Sequence, residues 1–188
     1  MKRWLLCLAA VFLSSCIEVD DLDGYWSKGT LDLRLAGKWF DTTANDQPRP
    51  LYFTREDTMY RIDTPHGSVW LRTLRIANYS FIMTGPDDTT GAQHAFNFFG
   101  PFPGHLSRYK IEDGKFFLCG FPNRELMQSF LREKAPKDSN IKFQVITAEA
   151  PDYIKISKLD DRALKFISEI PDDDDYWQCQ PVMSRISH

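Results

Sequence analysis

Beyond residue 50 the chain keeps a period of two. Ile141, Phe143 and Val145 alternate with Lys142 and Gln144, and Ile154 and Ile156 alternate with Lys155 and Ser157. Alternation of this kind puts apolar side chains on one face of a strand and polar ones on the other. Segments 51–55, 58–64, 68–77, 79–84, 94–99, 107–112 and 115–119 read the same way, rich in aromatic and β-branched residues. Turn chemistry separates them: Pro65-His66-Gly67, Gly85-Pro86-Asp87-Asp88 and Glu112-Asp113-Gly114. Short strands joined by tight turns predict a mainly β, antiparallel meander that closes into a barrel or packs as a sandwich.

Two stretches change period. Asn123 can cap a helix running to about Lys134, with Leu126, Met127, Phe130 and Leu131 on one face. Between 160 and 170, Ala163, Phe166, Ile167 and Ile170 share a helical face ahead of Pro171; the alternative is a hairpin turning through 158–162 into a strand over 163–168. The C-terminal half is therefore expected to carry one or two short helices.

The amino terminus follows a different logic. Lys2 and Arg3 precede an apolar run from Leu5 to Leu13 that ends in small residues, the pattern of an export signal and too short for a permanent membrane span. Leu13-Ser14-Ser15-Cys16 resembles the lipobox of bacterial lipoprotein precursors. That resemblance implies cleavage before Cys16, a diacylglycerol on its thiol and usually a further acyl chain on the new amino group. Two or three chains anchor stably, because each buried methylene contributes about 0.8 kcal/mol. Ile17 stands where an aspartate would favour retention in the inner membrane, so the resemblance implies the outer membrane, with the domain on its periplasmic face. The expected organisation is a signal peptide over 1–15, a lipidated N-terminus and acidic tether over 16–30, and one β-rich domain over 31–188.

With Cys7 removed and Cys16 acylated, Cys119 and Cys179 remain. An even pair in an oxidising compartment is expected to form a disulfide. Of 23 basic residues Lys2 and Arg3 leave with the signal, against 26 acidic ones, and this mild acidity argues against nucleic acid as a partner. Asp172 to Asp175 lack the alternating ligands and glycine of a calcium loop, so a solvated turn is expected there and no metal site. His66, His94, His105 and His188 are scattered. No local motif marks a nucleophile, a phosphate loop or a zinc site, so neither an enzyme nor a cofactor is expected.

Gly37-Lys38-Trp39 matches the G-x-W signature of lipocalins and related calycins, and Phe98-Phe99-Gly100-Pro101-Phe102 with Leu118-Cys119-Gly120 is similar to a stretch of bacterial lipocalins. The resemblance spans roughly 35–125 and implies a lipocalin-like barrel whose tryptophan packs across the closed end. It also implies a late Asp-Tyr and an arginine beyond the last strand, for which Asp152-Tyr153 and Arg162 are the candidates. A second G-x-W stands at Gly24-Tyr25-Trp26. In such a barrel Trp70, Phe81, Phe96, Phe98, Phe102 and Tyr109 would line a cup for a small apolar molecule. The same aromatics would otherwise fill the core or present a surface to an envelope protein, as in an inhibitor, immunity or assembly lipoprotein.

Overall fold

The structure, a computed structural model, describes residues 17–42, 50–64, 67–85, 104–135, 140–144 and 153–185. Eight strands form the barrel: β2 (Gly37–Asp41), β3 (Pro50–Glu56), β4 (Met59–Thr64), β5 (Gly67–Ile76), β6 (Tyr79–Thr84), β7 (His105–Glu112), β8 (Lys115–Gly120) and β11 (Gln178–Arg185). Each pairs antiparallel with the next, and β11 returns to β2, so the ring closes without a free edge. Of the barrel and the sandwich that the alternation allows, the mainly β, antiparallel barrel is the architecture found.

Between β8 and β11 the chain makes an excursion through α2 (Arg124–Lys134), β9 (Ile141–Gln144), β10 (Tyr153–Ile156) and α3 (Asp161–Glu169). Asn123 caps α2 by accepting from the Leu126 N–H, and Met127, Phe130 and Leu131 are its buried face. Over 160–170 the helix prevails over the hairpin: Asp160 accepts from the N–H groups of Arg162 and Ala163, and Ala163, Phe166 and Ile167 are buried. Before the barrel come β1 (Ile17–Val19) and the short α1 (Leu22–Ser27).

The N-terminal segment corrects one expectation. Residues from Ile17 onward are not a free tether. β1 pairs parallel with β10 and antiparallel with the start of β7, and Ile17 and Val19 are each 1% exposed. Two apolar residues flanking Glu18 suffice for a three-residue strand once two edges receive it. Gly104 holds the junction. Its φ is +92°, its carbonyl accepts from the Val19 N–H at 2.8 Å, and an added Cβ would stand 2.7 Å from the Val19 carbonyl oxygen.

Two cores result. Inside the barrel lie Leu35, Trp39, Phe53, Tyr60, Ile62, Val69, Leu71, Ile82, Tyr109, Phe116, Val182 and Met183. Outside it, Leu74, Ile76, Tyr79, Phe81, Met83 and Leu106 pack under β1, β10, α2 and α3. Because successive strand residues point to opposite faces, a strand buried on both faces should be apolar at every position, and β6 (Tyr-Ser-Phe-Ile-Met-Thr) nearly is.

Candidate ligand-binding barrel and its closed end

The two ends of the barrel differ. At one end β3–β4, β5–β6 and β7–β8 are joined by two-residue turns at 57–58, 77–78 and 113–114. Asp57, Ala77 and Asp113 take left-handed backbone there, with φ of 52°, 51° and 49°. At the other end fall the short connection 65–66 and the longer ones 42–49, 85–104 and 121–177.

The tight end is sealed by a short 3-10 turn, Leu33–Leu35, that precedes β2. Trp39, fully buried, donates its indole N–H to the Leu35 carbonyl at 2.8 Å and meets Phe53 and Phe116 edge-on. Arg185 pairs with Trp39 in the β11–β2 register. Its guanidinium lies 4.9 Å from the Trp39 ring centre and donates to the carbonyls of Arg34 and Ala36, both at 2.7 Å. The arginine that meets the Trp39 ring is thus Arg185, the last residue of β11 and not one beyond it. Arg162 is instead exposed in the first turn of α3, Tyr153 opens β10, and Asp152 lies outside the described residues. Gly37-Lys38-Trp39 lies on a barrel strand, whereas the second G-x-W, at Gly24-Tyr25-Trp26, lies in α1.

Asp32 ties this seal together. It accepts from the Arg34 backbone N–H at 3.0 Å, from the Arg34 guanidinium at 2.6 Å and from the Tyr109 hydroxyl at 2.8 Å. Its backbone carbonyl accepts from the Tyr60 hydroxyl at 3.0 Å. Partial burial pushes the Asp32 carboxyl up, but the bonds from Arg34 and Tyr109 outweigh it and leave the carboxyl below its ordinary value. Burial, then the Asp32 charge, pushes ionisation of Tyr109 far up, so its hydroxyl stays a donor.

A carboxyl held low in the folded state stabilises fully above its unfolded pKa, and that share is lost as pH falls through the folded value. Asp32→Asn is therefore expected to be less stable than the parent at neutral pH. The gap should close below roughly pH 4, where an ordinary carboxyl is protonated. Urea unfolding of both proteins at a series of pH values reads this directly, and a gap independent of pH would contradict it.

Of the six residues expected to line a cup, Tyr109 lies inside the barrel, at its closed end, stacked 5.3 Å from Phe116. Phe81 and Trp70 are corrections. Phe81 points outward into the second core and packs on Trp177, 6.3 Å between ring centres. On β5, Val69 and Leu71 face inward, so Trp70 between them faces out. Phe96, Phe98 and Phe102 lie outside the described residues. The sequence does not bring Trp39, Phe53, Tyr60, Phe116 and Arg185 together as a set; strand register does.

Cys119 and Cys179 stand opposite each other in the β8–β11 register and are disulfide-bonded. The bond closes the excursion 120–178 onto the barrel wall. Nearby, Arg108 is 7% exposed, sandwiched 4.4 Å from the Tyr79 ring and 4.5 Å from the Trp177 ring, and ion-paired to Asp172. The aspartate run thus forms the solvated turn expected, with Asp172 also pinning the excursion to β7.

A polar cleft of about 290 Å³ opens beside the closed end, with Arg34, Arg75, Arg108 and Lys110 on its walls. Three of these cations already have carboxylate partners, in Asp32, Asp172 and Glu112. It is a zone of internal ion pairs, and its spare charge is slight. Among the described residues, no group of three or more His, Cys, Asp or Glu side chains could hold a metal ion, and no helix is long and apolar enough to cross a membrane.

Compared with known proteins, the chain matches no family model, no curated protein and no solved structure. The barrel, with its sealed end, is what carries the functional reading.

Proposed function

We propose that this chain is a bacterial envelope lipoprotein, acylated at Cys16 and held on the periplasmic face of the outer membrane. Its lipocalin-like barrel takes a small apolar molecule at the open end. The reading is non-enzymatic: the ligand is bound and released without a bond being made or broken.

The observation that supports it most is the difference between the two barrel ends. A barrel stoppered at one end by Trp39, Arg185 and the 3-10 turn, and lined with apolar side chains, has a single direction from which a ligand can enter. The described interior is filled with rings around Trp39, Phe53 and Phe116. In this reading the ligand would enter from the end opposite the seal, on the side of Leu118, which packs partly buried against the interior cluster. The aromatic stretch 96–102 falls in one of the longer connections, which is why apolar chemistry is preferred for the ligand.

Two results test the reading. Cys16→Ser should move the protein from the membrane to the soluble periplasmic fraction, and palmitate label retained by that variant would sink the anchor. Titration of the soluble variant with a fluorescent long-chain fatty acid should saturate and be reversed by unlabelled fatty acid. A linear, non-competable signal would count against the pocket.

A second reading, a protein partner in the envelope, draws on β9. Among the described residues that strand stands last in the sheet order, beside β10, and strand addition at a sheet is a common mode of protein recognition. Crosslinking from Lys142, exposed on β9, distinguishes the two.

A further inference from the structure

A lipidated chain needs slack if its domain is to stand away from the bilayer, and here the chain has almost none. The first residue after Cys16 is already in the sheet. Ile17 pairs with Ile154 of β10 on one side and with Leu106 of β7 on the other, and it is 1% exposed. Glu18 and Val19 continue the parallel ladder, opposite Lys155 and Ile156. Consecutive Cα atoms are about 3.8 Å apart, so the acylated residue is one short step from a buried strand. Drawing out a tether would break both ladders and expose Ile17 and Val19, which pack in the same core as α2 and α3.

The exposed turn of Asp173, Asp174 and Asp175, just before Trp177 and Gln178, lies near Phe121 and Gly120, while the acidic residues next to the anchor are offset. Glu18 and Asp20 would repel anionic headgroups, but Lys155 reaches both, at 3.3 Å and 2.9 Å. That pair of contacts also holds β1 against β10. The neighbouring surface is set by register. β7 pairs with β8 up to the Arg108–Cys119 pair and with β1 from Leu106 onward, so the start of β1 lies beside the end of β8 at Gly120. The chain continues there into Phe121, which is partly buried, and Pro122, which is exposed.

We infer that β1 is itself the tether: once Cys16 is acylated, the domain docks directly on the phospholipid bilayer, with the surface around the start of β1, Phe121 and Pro122 facing the headgroups. This rests on the anchor proposed above. β3, four strands from β7 in either direction around the ring, then faces away from the membrane.

The test uses the full lipidated chain, its acylation at Cys16 verified by mass. The chain is reconstituted in vesicles of phosphatidylethanolamine and phosphatidylglycerol containing a nickel-chelating lipid that quenches fluorophores at the headgroup level. One fluorophore is placed through Pro122→Cys, another through Arg55→Cys on the exposed surface of β3. The Pro122 label should be quenched several-fold more than the Arg55 label. A flexible Gly/Ser insert of about ten residues between Cys16 and Ile17 adds roughly 18 Å of r.m.s. reach and should bring the two close to equality without changing the thermal melt. Equal quenching in the chain without the insert would overturn direct docking. Absence of lipid on Cys16 would overturn the anchor itself, a separate result.

Discussion

Replacing Trp39 with alanine is expected to cost about 3–5 kcal/mol, the range for removing a large buried aromatic side chain. The effect should be among the largest of any single substitution in the barrel. Trp39 is fully buried, packs edge-on against Phe53 and Phe116, and donates to the Leu35 carbonyl. Its loss leaves a cavity at the closed end and a buried carbonyl without its donor, and it strips the ring from beneath the Arg185 guanidinium. Arg185 would still reach the Arg34 and Ala36 carbonyls, but with nothing to stack on. Trp39→Phe keeps most of the volume and should cost clearly less. Urea unfolding of the soluble Cys16→Ser form measures both variants. An alanine variant within 1 kcal/mol of the parent, on the order of an ordinary surface change, would mean that the seal contributes little.

Removing the disulfide is the second large effect. Cys119 and Cys179 are 60 residues apart, and in the chain-entropy model closing a loop of that length contributes about 4 kcal/mol. The position of the bond matters as much as the size of the term. It joins β8 to β11 where the chain leaves the barrel for α2, β9, β10 and α3 and where it returns. Without it, the outer layer stays attached through the second core, β1 and the Arg108–Asp172 pair. Hydrogen exchange on Cys119→Ser/Cys179→Ser should therefore show protection falling first in α2 and α3, while β3, β4 and β5 remain protected longer. Uniform loss across the chain would indicate one cooperative unit, and an unchanged melting temperature under reductant would contradict the stabilising role.

Much of the barrel was legible because alternation survives wherever one strand face meets the core and the other meets solvent. The hairpins around 57–58, 77–78 and 113–114 follow from that pattern and their turn residues. β11 was hidden by Pro181, which removes a ladder donor and reads as a break; the sheet accommodates it with a register shift between Pro181 and Met183. β1 was hidden by its length, since three residues show no period. The helix over 161–169 competed evenly with a hairpin until Asp160 supplied a cap.

The residues expected to line a cup were harder to place for a reason of parity. A strand of aromatic and aliphatic residues does not say which face points inward when both faces are buried. Phe81 and Ile82 are adjacent, both at most 1% exposed, and belong to different cores. Only the pairing Ile82 to Ser107 and Ser80 to Tyr109, traced back around the ring to Trp39, decides the matter. Arg185 was unreadable for a related cause, because its role depends on β11 lying next to β2.

The most direct test of the central claim is native mass spectrometry of the mature domain with Cys16 replaced by serine, purified from the periplasm without detergent. The account predicts extra mass that disappears on denaturation and proves to be an apolar small molecule such as a fatty acid or lipid. A clean apo mass, unchanged after incubation with a fatty acid, would contradict the ligand-binding barrel and turn attention to β9 and a protein partner.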